Sequence, residues 1–530
     1  MASPESRSTS NLQGAHSAIE NFTVQAKQSQ TVQHELHQGF DLRPAGRAGE
    51  AQEEDPGPGV AILGDLPTAT KWTLANPGKL PMHRTLELHG QFGPVYSFGV
   101  GSATFVIVGD PAMFRQVLTH EDFQEHINLP FLKTFGARKG IFMADYERWK
   151  VHRRFSHRIL RDLGFGKIQM QDNILREATH LVDDLRSRCS EPVETRAAMS
   201  CAVSNVINQL VFGKRFDYSE PEFARQLDSA RMVTNISLTL VFFPMMFPWL
   251  EGHPDVMKAL PGSASFAEGY AFIKAFCKRE IAWHKEKLDF NNNEADQPED
   301  FITAFLREQV RQDPDSEHYF TDDDLCDIVA DFFVAGTDTT AVALTWAALL
   351  LAKHQDVQDK VRAELFYLGD TILEKQAGLH YTRAFWDEVL RFCMLVPLNM
   401  RHSVRETSVG GYRIPADTVV GANAYAVSRN AELFPEPETF RPARFLDAEG
   451  CYCRSPAMDG LVFGAGKRGC MGESLARMEM LVFLASLVQN FQLELPEKER
   501  PRFSEIFIGE DGAVHQPKQH RILFTELPRD

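Results

Sequence analysis

Several features that define specialised classes of protein are missing from this sequence. The first forty residues contain no apolar run, and their basic residues, Arg7 and Lys27, are balanced by acidic ones. This composition argues against a secretory signal and gives little support to a transit peptide. The most apolar window, residues 238–250, is too short to span a bilayer and is interrupted by Pro244 and Pro248. We therefore expect no transmembrane anchor.

An excess of basic charge and a disulfide framework are missing as well. The chain has 56 Lys and Arg against 72 Asp and Glu, a formal net charge of -16, so we expect no binding to nucleic acid. Its eight cysteines follow no framework spacing, and 530 residues with 43% apolar content can build a large core without disulfides. Cys451 and Cys453 lack the further ligands of a structural zinc site. We expect reduced thiols in a cytosol-facing compartment.

A Pro/Gly hinge at residues 56–59 divides the chain into two parts of different composition. Residues 1–56 are rich in Ser, Gln, Glu and Gly and have no apolar periodicity, which predicts a disordered polar N-terminal tail. Residues 57–530 contain the apolar patterns of a folded protein and no internal repeat. We interpret them as one large domain.

Helical patterns dominate this domain from Pro111 onward. Residues 94–108 predict an early β-hairpin, and strand signals return only around residues 412–420 and 521–527. Helices therefore outnumber strands, and the strands cluster near the two ends of the domain. The fold class is mainly α with a small, segregated antiparallel β part.

One long helix is predicted from Thr321 to about Lys353. Thr321 and Asp324 have the spacing of a capping box, and acidic residues in the first turn suit the positive end of the helix dipole. Residues 328–335 are apolar on nearly every face. The helix is therefore expected to run through the core of the domain.

The strongest chemical signal is the sequence FGAGKRGCMG at residues 463–472, which is followed by a helical pattern. Its glycines permit a tight loop whose backbone can lie against a flat cofactor. Cys470 then lies at the N-terminus of a helix beside Lys467 and Arg468, and helix N–H groups and nearby cations both stabilise a thiolate. A thiolate is the form of cysteine that binds iron.

Two other interpretations of this segment are weaker. Residues 464–469 spell G-x-G-x-x-G, the dinucleotide-binding pattern, but no βαβ unit follows them. Cys470 as an inert core cysteine would leave the glycines and Arg468 without a role.

The segment resembles the haem-binding signature F-x-x-G-x-R-x-C-x-G of the cytochrome P450 family. The matching residues are Phe463, Gly466, Arg468, Cys470 and Gly472. The resemblance implies the cytochrome P450 fold and a haem b (iron protoporphyrin IX) whose iron has the Cys470 thiolate as its axial ligand.

A second motif lies in the middle of the long helix, where residues 335–340 read AGTDTT. A glycine inside a helix costs about 1 kcal/mol relative to alanine. We expect Ala335 and Gly336 to form a groove in the helix wall; a kink with threonine hydroxyls bonded to the preceding turn is the compatible plain interpretation. The run resembles the oxygen-activation motif of the same family, which implies that Asp338 and Thr339 relay protons to dioxygen.

Several arginines resemble family positions that hold the cofactor or the fold. Trp149 and Arg153 fit the W-x-x-x-R pattern, and with Arg401 and Arg468 they are implied to bind the two haem propionates, since guanidinium groups suit carboxylates. The Glu388-x-x-Arg391 pair and the later Arg444 resemble a buried structural network of the family.

The resemblance also implies the reaction and its partners. We expect a monooxygenase that inserts one atom of O2 into a lipophilic substrate, with electrons from NADPH through a cytochrome P450 reductase-like flavoprotein. Such a donor suits the basic run Arg148, Lys150, Arg153, Arg154, Arg158 and Arg161. The expected pocket is largely apolar and takes in residues 123–142, 233–250, 332–340 and 395–400.

Two alternatives remain open: a peroxide-using isomerase or dehydratase of the same fold, and a haem-binding sensor without turnover. The sequence resembles the microsomal, animal-type branch of the family, which carries an N-terminal anchor. Because this chain has a polar tail in place of that anchor, we expect a protein that is cytoplasmic or peripherally associated with the endoplasmic reticulum. Residues 238–250 are either a buried loop and helix end or a substrate-channel lid that contacts the membrane.

Overall fold

The computed structural model describes residues 80–528, except residues 101–102, 128, 137–138, 165–167, 190, 237, 289–299, 313–318, 366–371, 511 and 513. The predicted tail and the hinge lie outside these residues. The helices are α1 (Pro81–Phe92), α2 (Pro111–Thr119), α3 (Pro130–Phe135), α4 (Tyr146–Asp162), α5 (Ile168–Ser187), α6 (Thr195–Phe212), α7 (Pro221–Thr234), α8 (Leu238–Met246), α9 (Pro254–Ala259), α10 (Ser263–Lys287), α11 (Phe301–Arg311), α12 (Asp322–Lys353), α13 (Gln355–Leu365), α14 (His380–Cys393), α15 (Ala424–Ser428), α16 (Glu473–Asn490) and α17 (Phe503–Ile508). The strands are β1 (Val95–Val100), β2 (Ala103–Val108), β3 (Pro192–Glu194), β4 (Asn399–His402), β5 (Thr407–Val409), β6 (Tyr412–Ile414), β7 (Val419–Ala422), β8 (Phe491–Glu494) and β9 (Arg521–Glu526). The mainly α fold class is confirmed.

The largest sheet has four strands in the order β1-β2-β7-β4. β1 and β2 form the predicted early hairpin, in which Val95 pairs with Val108. β2 and β7 are parallel, with Phe105 opposite Val419, whereas β4 and β7 are antiparallel. This sheet is therefore mixed, which differs from the wholly antiparallel β part that we expected. A parallel neighbour requires a long crossover, and here most of the helical chain forms it.

A second sheet, β3-β9-β8, is wholly antiparallel and joins the middle of the chain to its C-terminal strands. Residues 406–414 belong to a separate compact unit. In it, β5 and β6 pair antiparallel, with Thr407 opposite Ile414. Short strands of this kind are stable only where other elements cover one face. The β part is small, as expected.

α12 is the predicted central helix, and its start is capped as the sequence indicated. The Thr321 hydroxyl accepts a hydrogen bond from Asp324 N at 3.2 Å, and the Asp324 carboxylate accepts one from Thr321 N at 3.0 Å. Most of α12 is buried, and it packs against α6, α7, α10 and α16. By length and composition it is also the one helix in the described part of the chain that is apolar enough to cross a membrane, but here it forms the core.

Acidic residues on one side of α12 attach the loop before α4. Asp331 accepts hydrogen bonds from the backbone N of Ile141 and of Phe142, at 2.7 and 2.9 Å, and Asp327 accepts one from Lys139 N at 2.8 Å. Burial raises the pKa of Asp331 to about 6. Because these bonds run from side chain to backbone, they fix the path of the loop without fixing its side chains.

Candidate active site

The cysteine loop is a tight turn between residues 463 and 472. Cys470 N donates a hydrogen bond to the Phe463 carbonyl at 2.6 Å, which closes the loop. Gly464 and Gly466 have φ angles of +70° and +68°, in the region where a side chain is strained. A Cβ on Gly466 would also lie 2.7 Å from the Leu118 carbonyl. These glycines therefore shape the loop and its contact with α2, which is a different reason from the cofactor contact that we expected.

The Cys470 side chain is accessible, yet protein atoms surround it closely enough for desolvation to raise its pKa. The backbone N–H groups of Gly472 and Glu473, at the start of α16, hydrogen-bond the sulfur and lower the pKa, as the predicted helix N-terminus should. The charge of Arg153 also lowers the pKa, by less than the Gly472 N–H but more than the Glu473 N–H, while the Glu473 carboxylate raises it. A metal cation at the sulfur would supply the further stabilisation that a thiolate needs here.

The cation beside Cys470 is Arg153, and the expectation that Lys467 and Arg468 play this part is not met. Arg153 donates to the Gly469 carbonyl at 2.6 Å and lies 5.9 Å from the Trp149 ring. Arg468 donates to the Gln124 carbonyl at 2.7 Å and stacks 3.8 Å from the centroid of the Trp149 ring, and Arg153 is the arginine that affects the pKa of Cys470. Sequence neighbours of a tight turn diverge, because the turn sends consecutive side chains in different directions.

Arg401 and Arg468 form a buried cationic cluster with Arg153 close by. Desolvation lowers the pKa of Arg401 to about 10, and desolvation together with Arg401 and Arg153 lowers that of Arg468 to about 9. Both terminal nitrogens of Arg468 and Nε of Arg401 are buried without a hydrogen-bond partner among the described protein groups. Buried N–H groups are nearly always paired, and carboxylates suit guanidinium best. The residues thus fit the two carboxylates of a haem.

His126 belongs to the same cluster, and the sequence analysis did not single it out. Its pKa is lowered well below the usual value by desolvation and by Arg401 and Arg468. Its ring lies 5.4 Å from the ring of Phe142. A neutral imidazole there can still donate one hydrogen bond to an anion between the arginines. No motif marks His126 in the sequence, because its role depends on arginines far away in the chain.

The residues that were predicted to activate oxygen lie on α12. Asp338 is buried and makes a short ion pair with Arg196, at the start of α6. The Thr339 hydroxyl donates to the Ala335 carbonyl at 2.9 Å, which is the bond to the preceding turn that we considered. Ala335 is exposed, and Val334, Gly336 and Thr339 near it are half-buried, so this side of α12 faces an accessible space.

Gly336 does not leave the open groove that we expected. A Cβ at this position would lie 2.5 Å from Cδ1 of Ile207 on α6. The missing side chain therefore lets α6 approach α12, and that approach brings Arg196 of α6 to Asp338. The ion pair was not predicted, since nothing near Arg196 in the sequence marks it.

The expected structural network is present and fully paired. Glu388 and Arg391 are buried and joined by two hydrogen bonds of 2.8 and 2.9 Å, and Arg444 Nε donates to Glu388 at 3.0 Å. Arg391 also donates to the carbonyls of Ser428 and Pro437. This network ties α14 to the segment before the cysteine loop.

Apolar residues from several of the expected pocket segments pack together. One cluster joins Phe131 of α3, Leu240 and Met245 of α8, Leu250 and Val419. Among the described side chains of residues 238–250, Leu240, Met245 and Leu250 are buried and Trp249 is exposed, so both interpretations of this segment remain open. Two aromatic side chains nearby remain accessible, Phe142 with 58% and Trp249 with 49% of their surface exposed.

Known proteins of one family resemble this chain over most of its length. A family model described as Cytochrome P450 matches residues 57–524. Cytochrome P450 2C16 of Oryctolagus cuniculus is 32% identical over 448 residues, which cover 82% of this chain and 88% of that protein. Cytochrome P450 2U1 of Rattus norvegicus is 34% identical over 447 residues, 82% and 81% of the two chains. Cytochrome P450 2H1 of Gallus gallus is 32% identical over 491 residues, 90% and 94% of the two chains.

The family model covers nearly all of the folded part, including the cysteine loop, α12 and the arginine cluster. Unpartnered guanidinium groups and a closed cysteine loop are independent observations that agree with it. The chain belongs to the cytochrome P450 family, the haem-thiolate monooxygenases whose iron is bound by a cysteine thiolate.

Proposed function

We propose that this protein inserts one atom of O2 into a lipophilic organic substrate, using electrons from NADPH that arrive through a flavoprotein partner. The proposal rests on Thr339, which lies beside the accessible Ala335 on α12, and on the buried Asp338 that precedes it in the chain. When bound, the haem supplies the iron at which dioxygen is reduced. An acid and an alcohol next to each other are useful chiefly to an enzyme that must deliver protons there.

The proposed roles of the chain's own groups follow from their contacts. Cys470 holds the iron, while Arg401, Arg468 and His126 hold the propionates. Thr339 Oγ1 holds a proton that it donates to oxygen when it leaves the Ala335 carbonyl, and Asp338 resupplies it. Arg196 orients Asp338 through their ion pair.

The proposed donor surface is smaller than the basic run in the sequence. Arg148 turns inward to a short ion pair with Asp324, and Arg153 binds the cysteine loop. The exposed basic residues of α4 are Lys150, Arg154, Arg158 and Arg161. Next to them, His157, Leu160 and Arg161 border a cavity of about 150 Å³ together with Met471 of the cysteine loop and Ser474 of α16. A donor with an acidic surface that docked here would lie beside Cys470.

The substrate side favours an apolar molecule. The segments that we propose as the substrate pocket contain buried apolar groups of α3 and α8 and the accessible Phe142. The described residues of these segments carry few charges. Trp249 is exposed at the end of the apolar segment, where an amphipathic ring suits a membrane surface. We therefore infer a protein that is peripherally associated with the endoplasmic reticulum or cytoplasmic.

The absorption spectrum of the reduced, carbon-monoxide-bound protein tests the cysteine ligand. Thiolate ligation gives a strongly red-shifted main band, which Cys470→Ala should abolish while Cys393→Ala, a change at another buried cysteine, should keep it. If the band persists in Cys470→Ala, the ligand is elsewhere and the proposal is wrong.

A library of lipophilic compounds, read first from the iron spin state and then from products, tests the reaction. NADPH, reductase and O2 together should yield a product that carries one atom of labelled O2. Product formation from hydroperoxides without NADPH would identify an isomerase or dehydratase, and ligand binding without any product would identify a sensor.

A further inference from the structure

Two buried cysteines from different helices lie where α10 packs against α12. Cys277 lies on α10 and is 0% exposed, and Cys326 lies on the second turn of α12 and is 1% exposed. The Cys326 sulfur lies 3.7 Å from the carbonyl of Lys274, one helix turn before Cys277 on α10, and each thiol shifts the pKa of the other. They are 49 residues apart in sequence, so only the packing of α10 on α12 brings them together.

A lysine and an aspartate complete the surroundings of this thiol pair. Cys326 Sγ lies 3.7 Å from the Lys274 carbonyl, and the ammonium group of Lys274 also contacts the Cys326 sulfur. The same ammonium makes a short ion pair with Asp327, which accepts a further hydrogen bond from the Tyr270 hydroxyl at 3.2 Å. Cys326 therefore has a cation within reach of its sulfur, as reactive cysteines usually do.

The two thiols differ in acidity. Cys277 and the nearby Lys274 lower the pKa of Cys326, whereas burial raises the pKa of Cys277. Cys326 is thus the better nucleophile, and Cys277 is the proton donor next to it. This division of roles is the one that a two-step oxidation requires.

We propose that Cys277 and Cys326 are a redox modification site, at which a hydroperoxide converts the two thiols to a disulfide that ties α10 to α12. The Cys326 thiolate attacks one oxygen of hydrogen peroxide, the O–O bond breaks, and hydroxide leaves. Cys277 then attacks the resulting sulfenic acid, its S–H proton leaves with the departing hydroxyl as water, and the S–S bond forms. Two thiols and one peroxide give one disulfide and two waters.

Access to the pair needs only a local motion. Residues 321–323 at the start of α12 are exposed, so Cys326 is about one helix turn from solvent. Helix ends open more readily than helix centres, and hydrogen peroxide is a small molecule. Oxidation does not require the domain to unfold.

The bond would affect the substrate side through the neighbours of the pair. α10 packs against both α7 and α12, and Asp327, next to Cys326, binds the backbone of Lys139 in the loop that also carries Phe142. A covalent link between α10 and α12 restricts how far these elements can separate. We therefore expect substrate to bind and leave more slowly in the oxidised protein.

Peptide mapping of the haem-loaded protein tests the proposal. A background with Cys451→Ser and Cys453→Ser removes two exposed thiols that would form links between molecules. After treatment with a few equivalents of hydrogen peroxide, free thiols are alkylated in denaturant and the digest is analysed without reduction. The expected product is one cross-linked peptide that contains Cys277 and Cys326, is lighter by two hydrogens and is cleaved by dithiothreitol.

Single variants separate the two roles. Cys277→Ala should abolish the cross-link and leave a Cys326 sulfenic acid that dimedone captures, whereas Cys326→Ala should leave Cys277 reduced. Cys393 is the matched control, since it is equally buried but has Arg429, Arg391 and Glu388 as its neighbours. It should remain reduced throughout.

Stopped-flow binding of a spin-shifting ligand gives the second readout. The oxidised protein should bind more slowly, dithiothreitol should restore the rate, and Cys277→Ala should not respond to peroxide. The proposal is wrong if the haem band survives peroxide but no link between Cys277 and Cys326 forms. Oxidation of Cys393 to the same extent as Cys326 would also overturn it.

Discussion

The chain has two groups of arginines with buried side chains, and they differ in what surrounds them. In one group, Arg391 and Arg444 donate to Glu388 and to backbone carbonyls. In the other, Arg401 and Arg468 each donate to one carbonyl and keep buried nitrogens without a protein partner. Both groups are buried to a similar degree, so burial alone does not distinguish them.

The difference separates a structural role from a binding role. Buried charges are costly, and a fold that needs them only for stability pairs them within the protein. Guanidinium groups that remain unpaired must be paired by something that binds, and here a haem propionate has the right chemistry. The ion pair of Arg196 and Asp338 is a third case, in which a paired arginine serves a reactive acid.

The largest effect is expected from Glu388→Gln. The change leaves Arg391 and Arg444 buried without their counter-charge, which should cost about 3–5 kcal/mol of unfolding free energy. Urea unfolding should show this loss with and without haem. Glu406→Gln, in the exposed pair of Glu406 and Arg413, is the control and should change nothing measurable. A loss confined to the haem-loaded protein would show that the paired network is not structural.

Asp338→Asn should keep the haem spectrum but slow turnover about a hundredfold, because an amide cannot pass on a proton. It also removes the counter-charge of the largely buried Arg196, so the unfolding free energy should fall as well. Oxygen consumption and product are measured together at saturating substrate. Arg196→Lys keeps a cation beside Asp338, so its turnover should fall about tenfold or less. Equal turnover in wild type and Asp338→Asn would remove Asp338 from the reaction.

Arg468→Leu should weaken haem binding and leave the stability of the haem-free protein unchanged. Loss of charged hydrogen bonds to a propionate is worth about 1.5–3 kcal/mol, or roughly ten- to a hundredfold faster haem release. Transfer of haem to excess apomyoglobin measures this rate. The haem-free protein should be about as stable as before, since the variant loses one hydrogen bond to Gln124 but also a buried unpaired charge. Equal destabilisation of both forms would assign Arg468 to the structural group.

The smallest effect is expected from Arg444→Lys. Lysine keeps the charge beside Glu388 but cannot also reach the carbonyls of Pro435, Glu436 and Thr439. The unfolding free energy should therefore fall by about 1–2 kcal/mol. Thermal unfolding compared with Arg441→Lys, at a more exposed arginine, measures it. A loss as large as that of Glu388→Gln would mean that geometry and not charge holds the network together.

The parts of the fold that the sequence predicted well are those with local signals. The capping box at Thr321 fixed the start of α12, and alternation with a turn marked β1 and β2. The parallel pairing of β2 with β7 had no such signal, because strand direction across a sheet depends on the path of the whole chain between them.

The site divides in the same way. Cys470 and its loop were predictable because the glycines that shape the turn are its sequence neighbours. The contact of Arg153 with Gly469, the pair of Arg196 with Asp338, and His126 in the arginine cluster each join residues far apart in the chain. The sequence predicted a groove at Gly336, whereas the side chain of Ile207 packs there. A glycine in a sequence does not indicate which group occupies the space of its missing side chain.

The parallel pair of β2 and β7 sets a limit on how the protein is made. Phe105 finds its partner Val419 only after about three hundred further residues have been synthesised. At roughly 5–20 residues per second, the edge of β2 waits roughly 15–60 s on the ribosome with apolar residues uncovered. A chaperone that shields residues 103–108 during this interval should raise the yield of folded protein more than one that acts after release.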